Sequence, residues 1–506
     1  MDNNVGRGAF VLIVSGILCK ILGAFFRLPL TNIISISGIG IFQMIMSVYS
    51  LLLVFVSSGT ATALAKLISS ARARKEEGKI KSFIRLATIF SLVISIFLGL
   101  FVSIFSKQIA WLQGIESHGE GYFLFVFILP LGSIIAILRG IIQGYENMTP
   151  TAISQVIEQT IKFSSGLLFA FLFQRWNGQG VFGAFIGILL SELLSFVYLL
   201  FAYKKNVKIS KRQTISVNKQ FFSASLPLTF SSSIIPLTSA IEGFVIVSLL
   251  GVCGYANEVA TSLYGLQSGV VGAILHFPLI ISLAFGTAIL PNISFLSEKN
   301  DNERQKEIIA RAFFMMWFFL LPLTLGLNAI SKQVLPLIYP SLNESNLTTA
   351  CNLMSIGAVA TIISAVMQFF IAILGAKGFF NQYLIYSIIG GIGKIVSLCV
   401  FAVIPTIGIY AIPISNTILG VTVTLLSIIK LGKLIEIDFF EILLPIFSSI
   451  LMFLIVKIIL IYISGIFGLL FAIIMGAIIY FLASFPLVNQ IYREILLKIK
   501  KNEKIK

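Results

Sequence analysis

The chain is a succession of long apolar runs that leave room for little else. Crossing a ~30 Å bilayer core takes about 20 apolar residues. Stretches of that kind lie at 9–34, 39–68, 83–106, 122–145, 151–173, 181–203, 220–250, 259–290, 308–330, 350–376, 381–404, 407–429, 441–463 and 466–486. Most connections are a dozen residues or fewer, so no extramembrane catalytic domain fits between them. Backbone groups in hydrocarbon must find partners within their own segment, which makes each run a helix. The expected fold class is an all-α polytopic membrane protein of about 14 transmembrane helices. Composition agrees, since only 11% of the 506 residues are charged, against roughly 25% in a soluble domain.

The formal net charge of +16 would suggest nucleic acid in a soluble protein. Here the basic residues sit in short segments between apolar runs. Cys19, Cys253, Cys351 and Cys399 are far apart and form no CxxC or Cys/His ligand spacing, so disulfide and zinc are not expected. His118 and His276 do not build a metal site alone, and no Walker A sequence occurs. Lys20 and Arg27 interrupt the first apolar run and no small-residue cleavage site follows, so it reads as a first span rather than a removed signal.

Lys/Arg asymmetry between loops sets orientation. One side receives 72–81 (Arg72, Arg74, Lys75, Lys79, Lys81), 204–219 (Lys204, Lys205, Lys208, Lys211, Arg212, Lys219), 299–311 and the tail from Arg493 to Lys506. The other side holds only Lys107, Arg175 and Lys332. An even number of spans with both termini in the cytoplasm, in the cytoplasmic (inner) cell membrane, fits this pattern.

An internal repeat is also legible. Gly59-Thr60-Ala61 recurs in the second half as Gly286-Thr287-Ala288, and Leu98-Gly99-Leu100 recurs at the same offset as Leu325-Gly326-Leu327. Further on the offset drifts by a few positions, bringing Gly144 onto Gly375 and Lys162 onto Lys394. The expected organisation is two pseudo-symmetric six-helix lobes, 1–212 and 213–432, two extra helices at 433–488 and a basic tail at 489–506. Two related bundles around a central cavity suit alternating access.

Ionisable groups inside a span are costly and usually face a cavity or a partner. Lys20 and Arg27 are seven residues apart, so they share one helix face, with no acid at i±3 or i±4. Two such cations suit a deep anion site; the plainer alternative is snorkelling to an interface. Lys162 has Glu158 one turn earlier, in the favourable order for a self-neutralising pair. Lys394 has Gly390, Gly391 and Gly393 around it and no nearby acid in sequence. Arg139, near the end of its span, reads as snorkelling, and Lys457 has no assignment. All three aspartates lie outside the spans, leaving Glu158, Glu192 and Glu242 as intramembrane carboxylates. Each suits either a coupling proton or sodium ion, or a counter-charge to a buried lysine. Prolines such as Pro29, Pro227 and Pro236 allow kinks in the first helix of each half.

The segments GIGIFQMIMSVYSLLLVFVSSGTATALAKLIS (38–69) and RGIIQGYENMTPTAISQVIEQTIKF (139–163) resemble the stage V sporulation protein B family. HFPLIISLAFGTAILPNIS (276–294) is similar to the matching segment of MurJ-type lipid II flippases. Both belong to the multidrug/oligosaccharidyl-lipid/polysaccharide exporter superfamily. The resemblance implies fourteen helices in two lobes that flip an undecaprenyl-pyrophosphate-linked saccharide outward. It also implies that first-helix bases meet the pyrophosphate, where Lys20 matches one position and Arg27 lies one residue beyond the next. The arginines such flippases carry in helices two and eight are not reproduced; Leu53 and His276 stand in those regions. The last two helices would hold the lipid tail.

The expected function is therefore export of a lipid II-like peptidoglycan precursor for spore cortex or cell-wall synthesis. Lys20, Arg27, Lys162 and Lys394 would bind the substrate. The implied partners are the lipid-linked saccharide, membrane lipids and cell-wall synthesis proteins; no nucleic acid, metal or cofactor is expected. Two rivals stand beside it. A cation-coupled multidrug exporter of the same superfamily would need acids in the cavity, whereas the first helix supplies bases. A non-transporting cell-wall scaffold would leave the cavity charges dispensable. An enzyme is not expected, because the outer loops offer few acidic groups, Glu116, Glu120 and Glu344 among them.

Overall fold

A computed structural model describes residues 3–207, 217–299, 301–436 and 438–503. The expected lobe boundary at 212/213 and Lys208, Lys211, Arg212, Lys504 and Lys506 lie outside the described residues, as do the side chains of 487–503 in the tail.

Among the described residues there are helices and no strands. In chain order they are α1 (Asn3–Leu53), α2 (Gly59–Ala73), α3 (Glu77–Ile104), α4 (Ser106–Leu112), α5 (Phe125–Gly144), α6 (Thr149–Asn177), α7 (Gly180–Asn206), α8 (Asn218–Val252) and α9 (Asn257–Gly265). They continue as α10 (Gly272–Glu298), α11 (Asn302–Ala329), α12 (Ser331–Ile338), α13 (Glu344–Ala376), α14 (Phe380–Ala402), α15 (Ala411–Leu431), α16 (Phe439–Tyr462) and α17 (Gly465–Glu503). A π-helical turn at Val54–Ser58 joins α1 to α2, and another at Leu266–Val271 joins α9 to α10.

Thirteen of the helical stretches are long and apolar enough to cross a membrane, one fewer than the runs counted in the sequence. The difference lies at the start, where Val14–Ala73 forms a single stretch of 60 residues. At 1.5 Å per residue that is about 90 Å, some three times a bilayer core. The stretch is broken at Ser35, which has φ 71° and ψ 172°, in the gap between the two expected runs. Two crossings are therefore joined by an elbow instead of a loop.

The repeat has a counterpart in the helices. α3 (Glu77–Ile104) and α11 (Asn302–Ala329) are both 28 residues long. Each is followed after one residue by a short helix, α4 or α12. The π turns likewise fall in the second and eighth expected spans.

The chain divides into two compact units. The first comprises residues to Ala273 together with Gly378–Val423; the second comprises Ile274–Lys377 and the chain from Thr424 onward. These divisions differ from the expected segments 1–212, 213–432, 433–488 and 489–506. In the first unit α14 packs on α8, where a Cβ on Gly391 would meet Thr238 at 3.0 Å. Backbones also approach closely there: a Cβ on Gly265 would run into the Ile36 carbonyl oxygen, and one on Gly40 into that of Thr261. Small residues at helix contacts permit such approach in a membrane, where there is no hydrophobic drive between helices.

In the second unit α16 and α17 pack on α11 around Phe314, Phe318, Met452, Val456 and Tyr480. The Tyr480 hydroxyl donates to the Phe318 carbonyl at 2.6 Å and the Trp317 indole to that of Ile442 at 3.2 Å. Phe447, Phe467, Phe481 and Leu482 are exposed on α16 and α17, which suits a surface in contact with lipid.

Candidate functional site

The intramembrane charges of the first unit begin on α1. Lys20 is exposed and Arg27 half-buried, two turns apart on one face. α6 lies against α1: Phe26 seats on Gly166, where a Cβ would lie 2.9 Å from the ring. That seating sets the Lys162 ammonium over the Phe26 ring, 5.7 Å from its centroid, a cation–π contact. The charges acting on Lys162 are Glu158, Arg27 and Glu192, and the charge acting on Lys20 is Arg27. The fold thus brings Lys20, Arg27 and Lys162 into one electrostatic neighbourhood. Among the described residues no carboxylate forms an ion pair with Lys20 or Lys162.

Glu158 is not paired with Lys162. Its carboxylate takes the Arg139 guanidinium of α5 at 2.8 Å. Arg139 also donates to the Ser154 hydroxyl at 2.9 Å and to that of Ser195 at 3.3 Å. Arg139 therefore reaches across to α6 and α7 instead of snorkelling to an interface. The physical reason is shape: the planar guanidinium reaches three acceptors on two helices in one fixed fork. The pair has 18% and 24% of its side chains exposed, so breaking it strands a charge in a poorly solvated place. Arg139→Leu or Glu158→Leu alone is expected to cost about 3 kcal/mol. The double variant should recover about 1–3 kcal/mol of the summed loss, read as melting temperatures of the purified protein in detergent.

Glu192, on α7, is 4% exposed. One of its oxygens accepts the Tyr49 hydroxyl from α1. The other has no hydrogen-bond partner among the described residues and lies 3.6 Å from where a Cβ on Gly132 would sit, beside Leu53.

Lys394 is held apart from the other three cations. It forms an ion pair with Glu242 of α8 at 2.8 Å, with 4% and 10% of the side chains exposed. The glycines flanking Lys394 make this possible: Gly390 and Gly391 bring α14 within contact of α15 and α8. Both Glu242 and Arg27 act on the buried Tyr264 of α9, which links this pair to the α1 stripe.

Leaving aside Lys66 and Arg85 near the ends of their runs, the cations Lys20, Arg27, Arg139, Lys162 and Lys394 share the first unit's membrane part with the carboxylates Glu158, Glu192 and Glu242. Two carboxylates are committed to Arg139 and Lys394. What remains is net positive, an arrangement suited to an anion.

Tyr49 is the member of this network that the sequence does not point to, and Arg139 is the one whose expected snorkelling the fold replaces with a pairing. A signal for Arg139 exists: only four residues separate α5 from α6, so the helices run antiparallel and place Arg139 and Glu158 at similar depth. His276 lies in the second unit and is exposed. Among the described residues no three His, Cys, Asp or Glu side chains cluster to hold a metal. The four cysteines are free thiols.

The helical fold resembles that of solved membrane-transporter structures. It superposes on a solved structure of the lipid II flippase MurJ in an inward closed conformation, with a TM-score of 0.70 and 17% identity, covering 96% of this chain and 100% of that one. Residues 5–253 match the family described as polysaccharide biosynthesis protein. The chain is 28% identical over 460 residues to stage V sporulation protein B of Bacillus subtilis (strain 168), covering 85% of this chain and 84% of that protein. It is 23% identical over 367 residues to the lipid II flippase MurJ of the same organism, covering 67% of each. The resemblance read in the sequence is thereby shown, and the relative named for an activity is a flippase rather than an enzyme.

Proposed function

We propose that the chain is an alternating-access flippase for an undecaprenyl-pyrophosphate-linked saccharide, a lipid II-like precursor used in cortex or cell-wall synthesis. Its likeness to MurJ and to stage V sporulation protein B supports a flippase of lipid-linked saccharides or another transporter of this superfamily. The observation that carries the finer reading is the charge balance around α1 and α6. A pyrophosphate brings compact negative charge into a region where two of the three carboxylates are already paired with cations. Lys20, Arg27 and Lys162 hold the pyrophosphate, with Lys394 as a fourth cation behind its own carboxylate. The saccharide occupies the cavity and the prenyl chain stays in lipid beside α16 and α17. Rocking of the 1–212 and 213–432 lobes carries the head group outward. The cations lower the cost of moving that charge through a medium of low dielectric constant. The chain sits in the cytoplasmic membrane with both termini inside.

The test is reconstitution into liposomes with a fluorescent undecaprenyl-pyrophosphate disaccharide, following its accessibility to a membrane-impermeant quencher. Protein-dependent exchange between leaflets is expected. Its absence, alongside movement of a cationic dye driven by a proton or sodium gradient, would assign the chain to drug export instead.

A further inference from the structure

The second repeat handles its lysine differently from the first. At the offset that carries Lys162 onto Lys394, Arg139 falls on Ile371 and Glu158 on Gly390. The Arg–Glu pair of α5 and α6 is therefore missing from the corresponding positions. In the first repeat Arg139 draws Glu158 away from Lys162 and leaves the lysine open. In the second no arginine competes, and Lys394 is closed off by a carboxylate from another helix, Glu242.

We propose that Glu242 is a tethered competitor for the pyrophosphate: it occupies Lys394 in the empty protein, yields it to the incoming anion, and reclaims it as the anion leaves. This rests on the reading of the first unit as a pyrophosphate site. A buried ion pair gains little net stability, because desolvation offsets most of the Coulomb attraction. Exchanging one oxyanion for another at Lys394 is thus nearly balanced, whereas exposing the lysine with no partner is costly. The surroundings permit the exchange. Gly393 has open space around its Cα apart from one methyl of Ile418 at 3.5 Å from a built Cβ, and Gly391 meets only Thr238 and Ile234. Glu242 and Arg27 both act on Tyr264, so the freed carboxylate stays within the field of the α1 cations. Glu242 then sets how tightly the substrate is held and how readily it departs.

The experiment uses the full-length protein in detergent and farnesyl pyrophosphate as the soluble probe, with binding measured by calorimetry. Glu242→Gln keeps the shape and a hydrogen-bond acceptor for Lys394 but removes the competing charge. It is expected to bind the probe at least about tenfold tighter than wild type, in keeping with the strength of close charge pairs. Adding Lys394→Met to Glu242→Gln should abolish that gain. In liposomes Glu242→Gln should translocate the lipid-linked saccharide more slowly, because release becomes limiting. Wild-type or weaker affinity in a folded Glu242→Gln protein overturns the proposal, and so does a gain that survives Lys394→Met. If Glu242→Gln does not fold, Glu242→Asp, which keeps the charge on a shorter arm, decides the matter by a smaller gain in affinity or by none. A Lys20→Gln/Lys162→Gln variant separates the two readings. If it loses the probe while the Glu242 variants change nothing, only the competitor role fails. If it binds as wild type does, the pyrophosphate site itself fails.

Discussion

Replacing Lys20 and Lys162 together with glutamine is expected to slow flipping of the lipid-linked saccharide by about a hundredfold or more, while leaving the protein folded. The size follows from the strength of a desolvated charge contact, roughly 2–5 kcal/mol for each one removed. Folding should survive because neither lysine holds a carboxylate in an ion pair among the described residues. Lys162 gives up a cation–π contact with Phe26, and Lys20 stands exposed. Under the proposed function the loss should appear in the apparent affinity and in the rate, since both the entering and the crossing pyrophosphate would meet these groups. Lys457→Gln is the matched control. That lysine lies over Phe453 on the exposed side of α16, and its removal should leave flipping within about twofold of wild type. Wild-type flipping by the Lys20/Lys162 variant would place the pyrophosphate elsewhere.

Gly187→Leu is expected to abolish the folded protein altogether. A Cβ at this position would run into the Cα and nitrogen of Gly166, and neither is a side chain that could turn aside. One turn earlier Gly183 faces the Phe169 carbonyl oxygen in the same way. Together these glycines let α6 and α7 touch along their backbones, and α6 carries both Glu158 and Lys162. Forcing the helices apart costs at least about 3 kcal/mol and unseats Phe26 from Gly166 as well. Size-exclusion profiles of detergent extracts should show aggregate in place of a monodisperse peak. Gly251→Leu, at a position with no neighbouring atom within 4 Å, should elute as wild type does.

What the sequence discloses follows from the kind of signal it carries. Spans are written in runs of apolar residues, so thirteen helical stretches and the elbow reproduce the counted runs. The shared face of Lys20 and Arg27 follows from a spacing of seven along one helix, a local quantity. Pairing is not local. Glu158 lies one turn before Lys162, which invites a pair on α6, yet an arginine from the preceding helix takes the carboxylate because α5 folds back on α6. Lys394 shows no acid near it in sequence, and its partner Glu242 comes from α8, a helix far back along the chain. The glycines around Lys394 did mark the place, since they are what admits α8. Ser35 is the opposite case. A reader looking for a break would choose Gly38, three residues on, because a serine in the left-handed region is disfavoured.

That serine has a mechanical consequence. Spans joined by a loop can tilt independently, because slack chain takes up the difference. At Ser35 there is none: the segment bearing Lys20 and Arg27 passes directly into the one bearing Tyr49, and both ends of the joint are helical. Gly40 and Gly265 clamp the chain just beyond the turn, fixing a fulcrum. The first two crossings therefore behave as a bell crank, in which a swing of one arm must appear as a swing of the other. Movement of the arm bearing Lys20 and Arg27 would be felt at once by the Tyr49–Glu192 contact, with no delay for a loop to tighten.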